Sequence, residues 1–574
     1  MVAFDSLPQN AIEFMEWPWS QIEPYYQDLE ARPIDASNVS RWLADWTRLS
    51  DLASETYARL NVAVTLDTTD PEAERNYNTF LEQTHRPVLA ADQRLKEKLL
   101  ASGLKPDGFE IPLRRMRTET AIFRAENLPL LTEERKLVSA FNRIIGAQSV
   151  TWQGQEVTLQ GLRKAFESPD RSERESAWRL ASERQLADRE ALNELWGKFM
   201  VLRGQLAENA GVAENEGFAD YRSYRWKQML RLDYTPEDCL EFQRAILQVA
   251  VPAATRLYES HRQRLGVEAL RPWDLDQDLY PVHLPPLPAY GDLEVLQNRA
   301  EAIFDQLDAQ LGEHFRILRF EGLLDLDNRK GKAPGGYCTA FPVARRPFIF
   351  MNAVGLASDV RTLLHESGHA FHNFERFELP YAQQRIPGLE FAEVASMAME
   401  LLASPYLSGC PDSLYSETDA RRFRLAHLEN ILLFWPYMAV VDAFQHWVYT
   451  HYQAASDPAN CDAKWLELWQ RYIPGVDWSG LDTAAMTGWQ RKQHIFRYPF
   501  YYVEYGLAQL GAVQVWRNAL IDPAAALASY RQALSLGGTA TLPDLYRACG
   551  AKLAFDAKTL SEAVQLIEQA ISAL

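Results

Sequence analysis

Apolar residues recur every three or four positions along most of this 574-residue chain, a period that predicts amphipathic α-helices. The pattern is clearest at residues 71–103, 168–211 and 560–574. Gly103 is the expected end of the first stretch, because glycine readily adopts the left-handed conformation that closes many helices. We therefore expect a mainly α-helical fold.

Two segments depart from this helical pattern. Residues 270–294 contain five prolines, which exclude a continuous helix and predict an extended connector. Residues 328–355 place glycine and proline around two short runs of β-forming residues, YCTAF and FIFMN. This second segment predicts a small hairpin or sheet.

The most apolar run of the chain, residues 431–441, contains Pro436 and is too short to span a bilayer, so it predicts a buried helix. The N-terminal sequence has neither the basic start nor the apolar stretch of a secretory signal. We expect a protein without a membrane anchor that works in the cytoplasm.

The charge balance and the cysteines narrow the class of protein further. The chain has 59 basic and 77 acidic residues, a formal net charge of −18 at pH 7. Nucleic-acid-binding proteins normally present a basic face, so this balance argues against that class. Five scattered cysteines without a CxxC pair favour a reducing compartment over a disulfide framework. None of these features determines the oligomeric state.

The strongest chemical signal is LLHESGHAFHNF, residues 363–374, which holds three of the chain's eleven histidines. His365 and His369 are four positions apart, so in a helix they share one face and can bind one metal ion. Zinc in a catalytic site takes two or three such ligands and keeps one position open for water. Glu366 lies beside them, where it can take a proton from that water. We expect His372 to be a hydrogen-bonded histidine near the metal rather than a ligand.

The helix that carries this motif has recognisable start signals. Ser358 is the expected N-cap, and Asp359 would lie in the first turn, where a negative charge is favourable. Leu363 and Phe371 belong to an apolar face that is separate from the face of the two histidines.

A third metal ligand must come from outside the motif. A metzincin would need glycine at position 372 and histidine at position 375, but the chain has His372 and Glu375 there. The other arrangement takes a carboxylate from a following helix, and LEFAEVASMAMELL offers Glu390, Glu393 and Glu400. The last two are seven positions apart, so one can bind the ion while the other orients a histidine ligand. Spacing alone does not choose between them.

HESGHAFH, followed by EFAEVASMAMELL, resembles the thimet oligopeptidase and oligoendopeptidase F family of zinc metallopeptidases. That family pairs HExGHxxH with a downstream helix of pattern F-x-E-x-x-S-x-x-x-E. The resemblance implies that His365, His369 and Glu393 bind one zinc ion per chain. It also implies that Glu366 is the general base and that Glu400 is an acidic residue next to the ligands.

Residues 491–511 resemble the same family, in a segment where a histidine and two tyrosines face the substrate and the developing oxyanion. His494, Tyr498 and Tyr505 fit that pattern, because the two tyrosines are seven positions apart. Two further tyrosines at positions 501 and 502 leave the choice of tyrosine open. A phenolic hydroxyl in this place can donate a hydrogen bond to the oxyanion.

The segment APGGYCTAF resembles the glycine-rich loop and edge strand of this family. Gly335, Gly336 and Tyr337 would then be the substrate-binding residues of this segment. A peptide can add to such an edge by main-chain hydrogen bonds. Glycine helps here because it lets one backbone approach another closely.

The resemblance implies a large two-lobed helical ellipsoid around a deep channel, with a small β-sheet next to the zinc helix. We expect residues 1–200 to form a helical part of the channel wall and residues 201–574 to form the catalytic domain. The implied activity is zinc-dependent hydrolysis of internal bonds in short unstructured peptides. Two alternatives stay open: a zinc carboxypeptidase or dipeptidyl carboxypeptidase on a similar scaffold, and a non-catalytic peptide-binding protein.

Overall fold

The computed structural model describes residues 2–211, 220–275, 286–409 and 413–574. Residues 276–285, in the middle of the predicted connector, and Cys410 lie outside the described residues. Within those ranges the chain consists mainly of α-helices, accompanied by two small β-sheets. This confirms the predicted mainly helical fold class.

The chain before residue 212 forms a series of helices and one hairpin. The helices are Ala11–Met15 (α1), Trp19–Ala31 (α2), Val39–Leu66 (α3), Pro71–Phe80 (α4), Arg86–Ser102 (α5), Glu110–Ile122 (α6), Asn127–Gly146 (α7), Leu159–Phe166 (α8), Arg171–Ala187 (α9) and Arg189–Gly211 (α10). Strands Ser149–Trp152 (β1) and Gln155–Thr158 (β2) pair in antiparallel orientation between α7 and α8. The sequence pattern did not predict this hairpin.

The chain after residue 219 carries the second sheet and the remaining described helices. The strands are Leu324–Asp327 (β3), Tyr337–Phe341 (β4) and Arg346–Ala353 (β5). The helices are Tyr221–Gln228 (α11), Pro236–Leu265 (α12), Leu293–Leu307 (α13), Ala309–Phe320 (α14), Ala357–Arg376 (α15), Leu389–Ala403 (α16), Glu417–Thr450 (α17), Tyr452–Ala455 (α18), Pro458–Tyr472 (α19), Asp482–Met486 (α20), Gln493–Arg497 (α21), Tyr502–Ala519 (α22), Pro523–Ser535 (α23), Leu542–Ala548 (α24) and Ala557–Ala573 (α25).

The second sheet has the strand order β3-β5-β4, so β5 is central and β4 lies at an edge. Strand β4 pairs with β5 in antiparallel orientation, with Tyr337 opposite Phe350, and β3 pairs with β5 in parallel orientation. This confirms the predicted small sheet, whereas β3 was not predicted. Helix α15 follows β5 directly, which places the histidine motif beside the sheet.

The long helical stretches are interrupted where the backbone cannot continue. A π-helical turn at Leu81–His85 separates α4 from α5, next to Pro87, which has no backbone N–H for the helical ladder. Helix α5 then ends as predicted at Gly103, with φ of +68°. The stretch 168–211 divides at Asp188, whose carboxylate accepts hydrogen bonds from Gln148 and Arg184.

The two largest of the five hydrophobic clusters among the described residues define two lobes. One core is formed by buried residues between Phe4 and Met116, and the larger one by residues between Ile122 and Ile567. Cavities of about 350 and 500 Å³ lie between the N-terminal helices and later parts of the chain. The division into domains 1–200 and 201–574 stays a prediction, and residue 200 itself lies within α10.

The apolar run at residues 431–441 lies inside α17 and is almost entirely buried. Among the described helices, none combines the length and the apolar character that crossing a bilayer requires. The predicted buried helix is therefore confirmed.

Candidate metal centre

Helix α15 begins differently from the sequence-based expectation. Its N-cap is Leu356 rather than Ser358, and the cap is made by the Asp359 carboxylate. Asp359 Oδ2 accepts hydrogen bonds from the backbone N–H groups of Val354, Gly355 and Leu356 at 2.7 to 2.9 Å. A carboxylate that reaches back over the turn satisfies these donors better than the Ser358 hydroxyl, which explains why the expected cap was wrong.

Three potential metal ligands converge from two helices. His365 and His369 lie on α15, and Glu393 comes from α16. Glu393 Oε2 is 3.3 Å from His365 Nε2 and 3.5 Å from His369 Nε2. One ligand atom from each of the three lies within 4.8 Å of the others, so all three can reach a common point.

Gly368 lets the two ligand-bearing helices approach closely. A Cβ at this position would lie 2.6 Å from the Ala395 carbonyl oxygen and 2.7 Å from Ser396 Cα, both backbone atoms of α16. The glycine of HESGH is therefore a packing requirement, since any side chain here would push α16 and its Glu393 away from the histidines.

Glu400 connects the cluster to a third helix. His365 Nδ1 donates a hydrogen bond to Glu400 Oε1 at 2.8 Å, and His427 Nε2 on α17 lies 2.9 Å from Glu400 Oε2. With Nδ1 held by the carboxylate, His365 directs Nε2 toward Glu393. Carboxylates in this position fix the ring orientation and raise the basicity of a histidine ligand.

The second oxygen of Glu393 is also held. Tyr501 Oη donates a 2.6 Å hydrogen bond to Glu393 Oε1, and Ser396 Oγ donates to Oε2 at 3.0 Å. Burial by itself raises the pKa of Glu393, but the nearby His369 and His365 hold it well below the usual range. The carboxylate is therefore anionic and fixed in position, as a metal ligand must be.

Glu366 is buried beside the cluster, and its Oε2 has no hydrogen-bond partner among the described residues. Burial raises the pKa of Glu366, an effect that the positive charges of His365 and His369 oppose. A Cβ on Gly336 would lie 3.2 Å from Glu366 Oε1, so the glycine-rich loop passes directly over this carboxylate. Glu366 thus faces the space between α15 and the loop that leads into β4.

The glycine-rich loop is fastened from both sides. Asn352 Nδ2 donates hydrogen bonds of 2.9 Å to the carbonyl oxygens of Ala333 and Gly335. Gly335 has φ of +93°, a conformation that other residues rarely adopt. Tyr337, predicted to bind substrate, shares a 2.6 Å hydrogen bond with Thr65 of α3, so this loop also contacts the first lobe.

The tyrosines of the C-terminal segment have different surroundings. His494 Nε2 and Tyr505 Oη lie 3.2 Å apart, whereas Tyr498 is 43% exposed. Phe500, with φ of +66°, interrupts the segment between α21 and α22, and its N–H donates to Gln445 Oε1. This turn brings Tyr501, rather than Tyr498 or Tyr505, to Glu393.

The two remaining candidates lie away from the ligand atoms. His372 is buried, and its ring packs edge-on at 6.0 Å against that of Phe391. Glu390, the third carboxylate offered by α16, accepts a hydrogen bond from Tyr234 and lies 3.5 Å from Arg231. Within the described residues, neither joins the cluster of possible metal ligands.

Sequence reasoning did not predict the role of Tyr501 as a partner of Glu393, and it did not name His427 at all. Tyr501 was one of four tyrosines in its segment, and only the turn at Phe500 distinguishes it. His427 lies in RLAHLEN, which carries no motif, and reaches Glu400 through the packing of α17. No local spacing signal could have found either.

Comparison with known proteins agrees with this arrangement. The sequence model of peptidase family M3 matches residues 165–565. Oligopeptidase PepF of Bacillus subtilis (strain 168) is 26% identical over 250 residues, which are 42% of this chain and 36% of that protein. The chain therefore matches about a third of the length of that relative.

Solved structures match over the whole chain. "PZ peptidase A with inhibitor 2" aligns over 100% of this chain and 99% of its own, with a TM-score of 0.90 and 27% identity. A proposed oligoendopeptidase F aligns over the same shares, with a TM-score of 0.91 and 27% identity. Since the family model covers well over half of the sequence, the chain belongs to peptidase family M3, a family of metallopeptidases.

Proposed function

We propose that this protein is a zinc-dependent endo-oligopeptidase that hydrolyses internal bonds of short unstructured peptides. The observation that carries the proposal is the convergence of His365, His369 and Glu393 next to the buried carboxylate of Glu366. Around this cluster lie an edge strand and a tyrosine-rich segment, which are the parts that a peptidase needs to hold a peptide and its developing oxyanion.

The donor set fits zinc. Two imidazoles and one carboxylate form a ligand set of catalytic zinc sites, and the buried Glu366 Oε2 without a partner suits a reacting group beside the ion. When bound, zinc would supply a Lewis acid that polarises the scissile carbonyl and lowers the pKa of a water molecule. Glu400 and Tyr501 would hold two of the ligands in their orientation.

Glu366 is the proposed general base. Its raised pKa favours holding a proton for a time, which is what a group needs when it takes a proton from water and then delivers it to the leaving amine. Its neighbour Gly336 lies so close that a Cβ there would be 3.2 Å from Glu366 Oε1, so a side chain at this position would crowd the carboxylate.

Tyr505 is the proposed hydrogen-bond donor to the oxyanion, with Tyr498 as the second candidate. Burial and nearby carboxylates raise the pKa of Tyr505 well above its ordinary value, so its hydroxyl keeps its proton. His494, 3.2 Å away, would hold that hydroxyl in place. A positioned phenol can stabilise a developing oxyanion without moving.

The substrate class follows from the surroundings of the site. Strand β4 lies at the edge of its sheet, where an extended peptide can pair with its main chain. The Tyr337–Thr65 hydrogen bond brings the first lobe to the start of β4, and a site bordered by both lobes would admit a short flexible peptide and exclude a folded protein. Gly335, Gly336 and Tyr337 are the proposed contacts on this side. A cytoplasmic location stays a prediction.

The experiment that tests this proposal is hydrolysis of a quenched fluorescent peptide of about ten residues, blocked at both ends. We expect internal cleavage that a chelator abolishes, with the products identified by mass. Casein, a full-length protein, should be left intact. Cleavage that requires a free carboxyl end would instead indicate a carboxypeptidase or dipeptidyl carboxypeptidase. Stoichiometric zinc binding without hydrolysis of any peptide would indicate a non-catalytic peptide-binding protein.

A further inference from the structure

A cavity of about 500 Å³ lies between the lobes and reaches Arg497 and Tyr498 of the tyrosine-rich segment. Helices of the first lobe line one side, and Arg497 and Tyr498 line the other. Tyr498 lies four residues after His494, and their ring centroids are 6.4 Å apart. On the opposite side the cavity includes Thr65, which shares its hydrogen bond with Tyr337 at the start of β4. The cavity therefore adjoins two segments of the proposed peptide site, at Tyr498 and, through Thr65, at Tyr337.

Besides Arg124, whose guanidinium donates to the backbone carbonyl oxygens of Ala121, Phe123 and Ala210, three guanidinium groups line this cavity without forming an ion pair to a carboxylate in the described part of the chain. They belong to Arg135 on α7, Arg225 on α11 and Arg497 on α21. The Arg135 guanidinium lies 5.0 Å from the centroid of the Tyr57 ring. Arg225 donates hydrogen bonds to Gln228 Oε1 and to the carbonyl oxygen of Pro499, both neutral partners.

Arg497 is held in position and still has donor capacity. Its Nη1 donates to Gln493 Oε1 at 2.8 Å, and its Nη2 donates to Tyr498 Oη at 3.3 Å. Its Nε is buried and has no hydrogen-bond partner among the described residues. The Arg497 side chain is partly buried, and removing a guanidinium from water without an anion is costly unless a ligand supplies one.

The acidic residues of the cavity wall do not neutralise these arginines. Asp92 and Glu119 lie 3.0 and 3.2 Å from Lys96, so this lysine already balances part of their charge. Glu134 accepts a 2.8 Å hydrogen bond from Nε of the fully buried Arg203. The lining therefore carries five basic and three acidic side chains, in a chain whose formal net charge is −18.

We propose that this cavity binds a carboxylate of the peptide substrate, with Arg135 and Arg497 as its specificity-determining residues. The inference rests on the proposed function, because it names a feature of the peptides that the enzyme would prefer. A guanidinium matches a carboxylate in geometry and charge, and a local positive potential attracts anionic peptides that the acidic surface otherwise repels. The carboxylate is either the free C-terminus or an aspartate or glutamate side chain.

The test measures peptide binding and hydrolysis separately. Zinc-loaded Glu366→Gln protein is titrated with labelled peptides of about ten residues, and affinity is read by fluorescence anisotropy. One peptide pair differs only in a free or amidated C-terminus, and a second series replaces glutamine by glutamate at each position. The same pairs are then given to the wild-type enzyme, and kcat and KM are measured.

We expect the carboxylate-bearing member of one pair to bind about tenfold more tightly than its neutral partner. Arg135→Gln and Arg497→Gln should each reduce this ratio toward one while the affinity for the neutral peptide stays the same. Arg143→Gln is the matched control, because Arg143 lies on the same helix but pairs with Glu74 outside the cavity. The pair that shows the preference identifies the source of the carboxylate.

Equal binding of both members in every pair would overturn the inference, as would a preference that survives in both arginine variants. Normal hydrolysis with no such preference would refute the inference and leave the proposed function intact. An arginine-dependent preference in a protein that hydrolyses no peptide would refute the proposed activity and support the binding site. Two variants on different helices keep the test decisive if one of them fails to fold.

Discussion

The hydroxyl of Tyr501 donates a 2.6 Å hydrogen bond to Oε1 of Glu393, the oxygen that does not face the two histidines. The tyrosine belongs to a turn near the C-terminal end of the chain, 108 residues after its partner. This contact links the tyrosine-rich segment to the proposed metal ligands, so it couples the position of Glu393 to that of the segment proposed to face the substrate.

Replacing Tyr501 by phenylalanine removes this hydrogen bond and keeps the ring. We expect zinc affinity to fall by about 10- to 100-fold, because partners of metal ligands typically contribute that much. Competition with a fluorescent chelator measures the change. Tyr381→Phe is the control, since the Tyr381 hydroxyl donates to the Ser40 carbonyl oxygen of the first lobe at 3.4 Å and not to a proposed metal ligand. Unchanged affinity in the Tyr501 variant would contradict the assigned role.

Replacing Glu366 by glutamine removes the proposed base and leaves the three ligands in place. We expect kcat to fall by about 10²- to 10⁴-fold while the protein still binds one zinc ion per chain. Metal analysis checks the zinc content of the variant, and peptide hydrolysis by the same preparation checks its kcat. Glu378→Gln, at an exposed glutamate paired with Arg345, should behave as wild type. A Glu366 variant with near-normal turnover would show that another group takes the proton.

Replacing Glu400 by glutamine keeps the shape of the side chain but removes the charge that holds His365 Nδ1. We expect zinc affinity to fall by about tenfold or more. His427→Gln should have a smaller effect, because His427 contacts Glu400 and acts on His365 only through it. Isothermal titration with zinc ranks the two variants. A larger loss of zinc affinity in the His427 variant than in the Glu400 variant would contradict the proposal that His427 acts on His365 only through Glu400.

Replacing Gly368 by alanine tests the close packing of α15 on α16. The new Cβ would meet backbone atoms of α16 at 2.6 and 2.7 Å, so the helices must separate. We expect a loss of about 1–3 kcal/mol in the free energy of unfolding, together with weaker zinc binding. Gly197→Ala is the matched control on helix α10, where a Cβ meets nothing within 4 Å. That control should be neutral or slightly stabilising, by up to about 1 kcal/mol. Chemical denaturation compares the two, and equal stabilities would refute the packing argument.

The pH dependence of turnover should not contain a titration of His494. Burial, reinforced by the positive charges of Lys492 and Arg497, lowers the pKa of this histidine to about 3. A group with so low a pKa is neutral between about pH 5 and pH 8, so it accepts or donates a hydrogen bond without changing its charge. His494→Gln should therefore reduce kcat and leave the shape of the kcat–pH profile unchanged. Loss of one limb of the profile in this variant would show that His494 titrates during turnover.

The sequence predicted those features that depend on local periodicity. The 3.6-residue helical repeat places His365 and His369 on one face wherever the helix lies, and glycine and proline around YCTAF and FIFMN predict β4 and β5. The same reasoning failed at the start of α15, where two neighbouring side chains could cap the same backbone donors. Ser358 is a good N-cap by type, but the Asp359 carboxylate caps the helix instead.

For the site, helical spacing supplied candidates that only tertiary structure could separate. Glu393 and Glu400 share a face of α16, and their roles depend on how α15, α17 and the turn at Phe500 pack against that face. Glu393 lies against Nε2 of both histidines, while Glu400 accepts a hydrogen bond from Nδ1 of His365.

The sequence by itself determined the helical class, the two histidines with their neighbouring glutamate, and the short list of acidic partners. Tertiary structure alone decided which carboxylate meets both imidazoles, which tyrosine holds it, and that Arg135 and Arg497 face one cavity. The physical reason is the distance along the chain over which each kind of information acts. Periodicity acts over a few residues, whereas these contacts join side chains that are far apart in the chain and meet only when the helices pack.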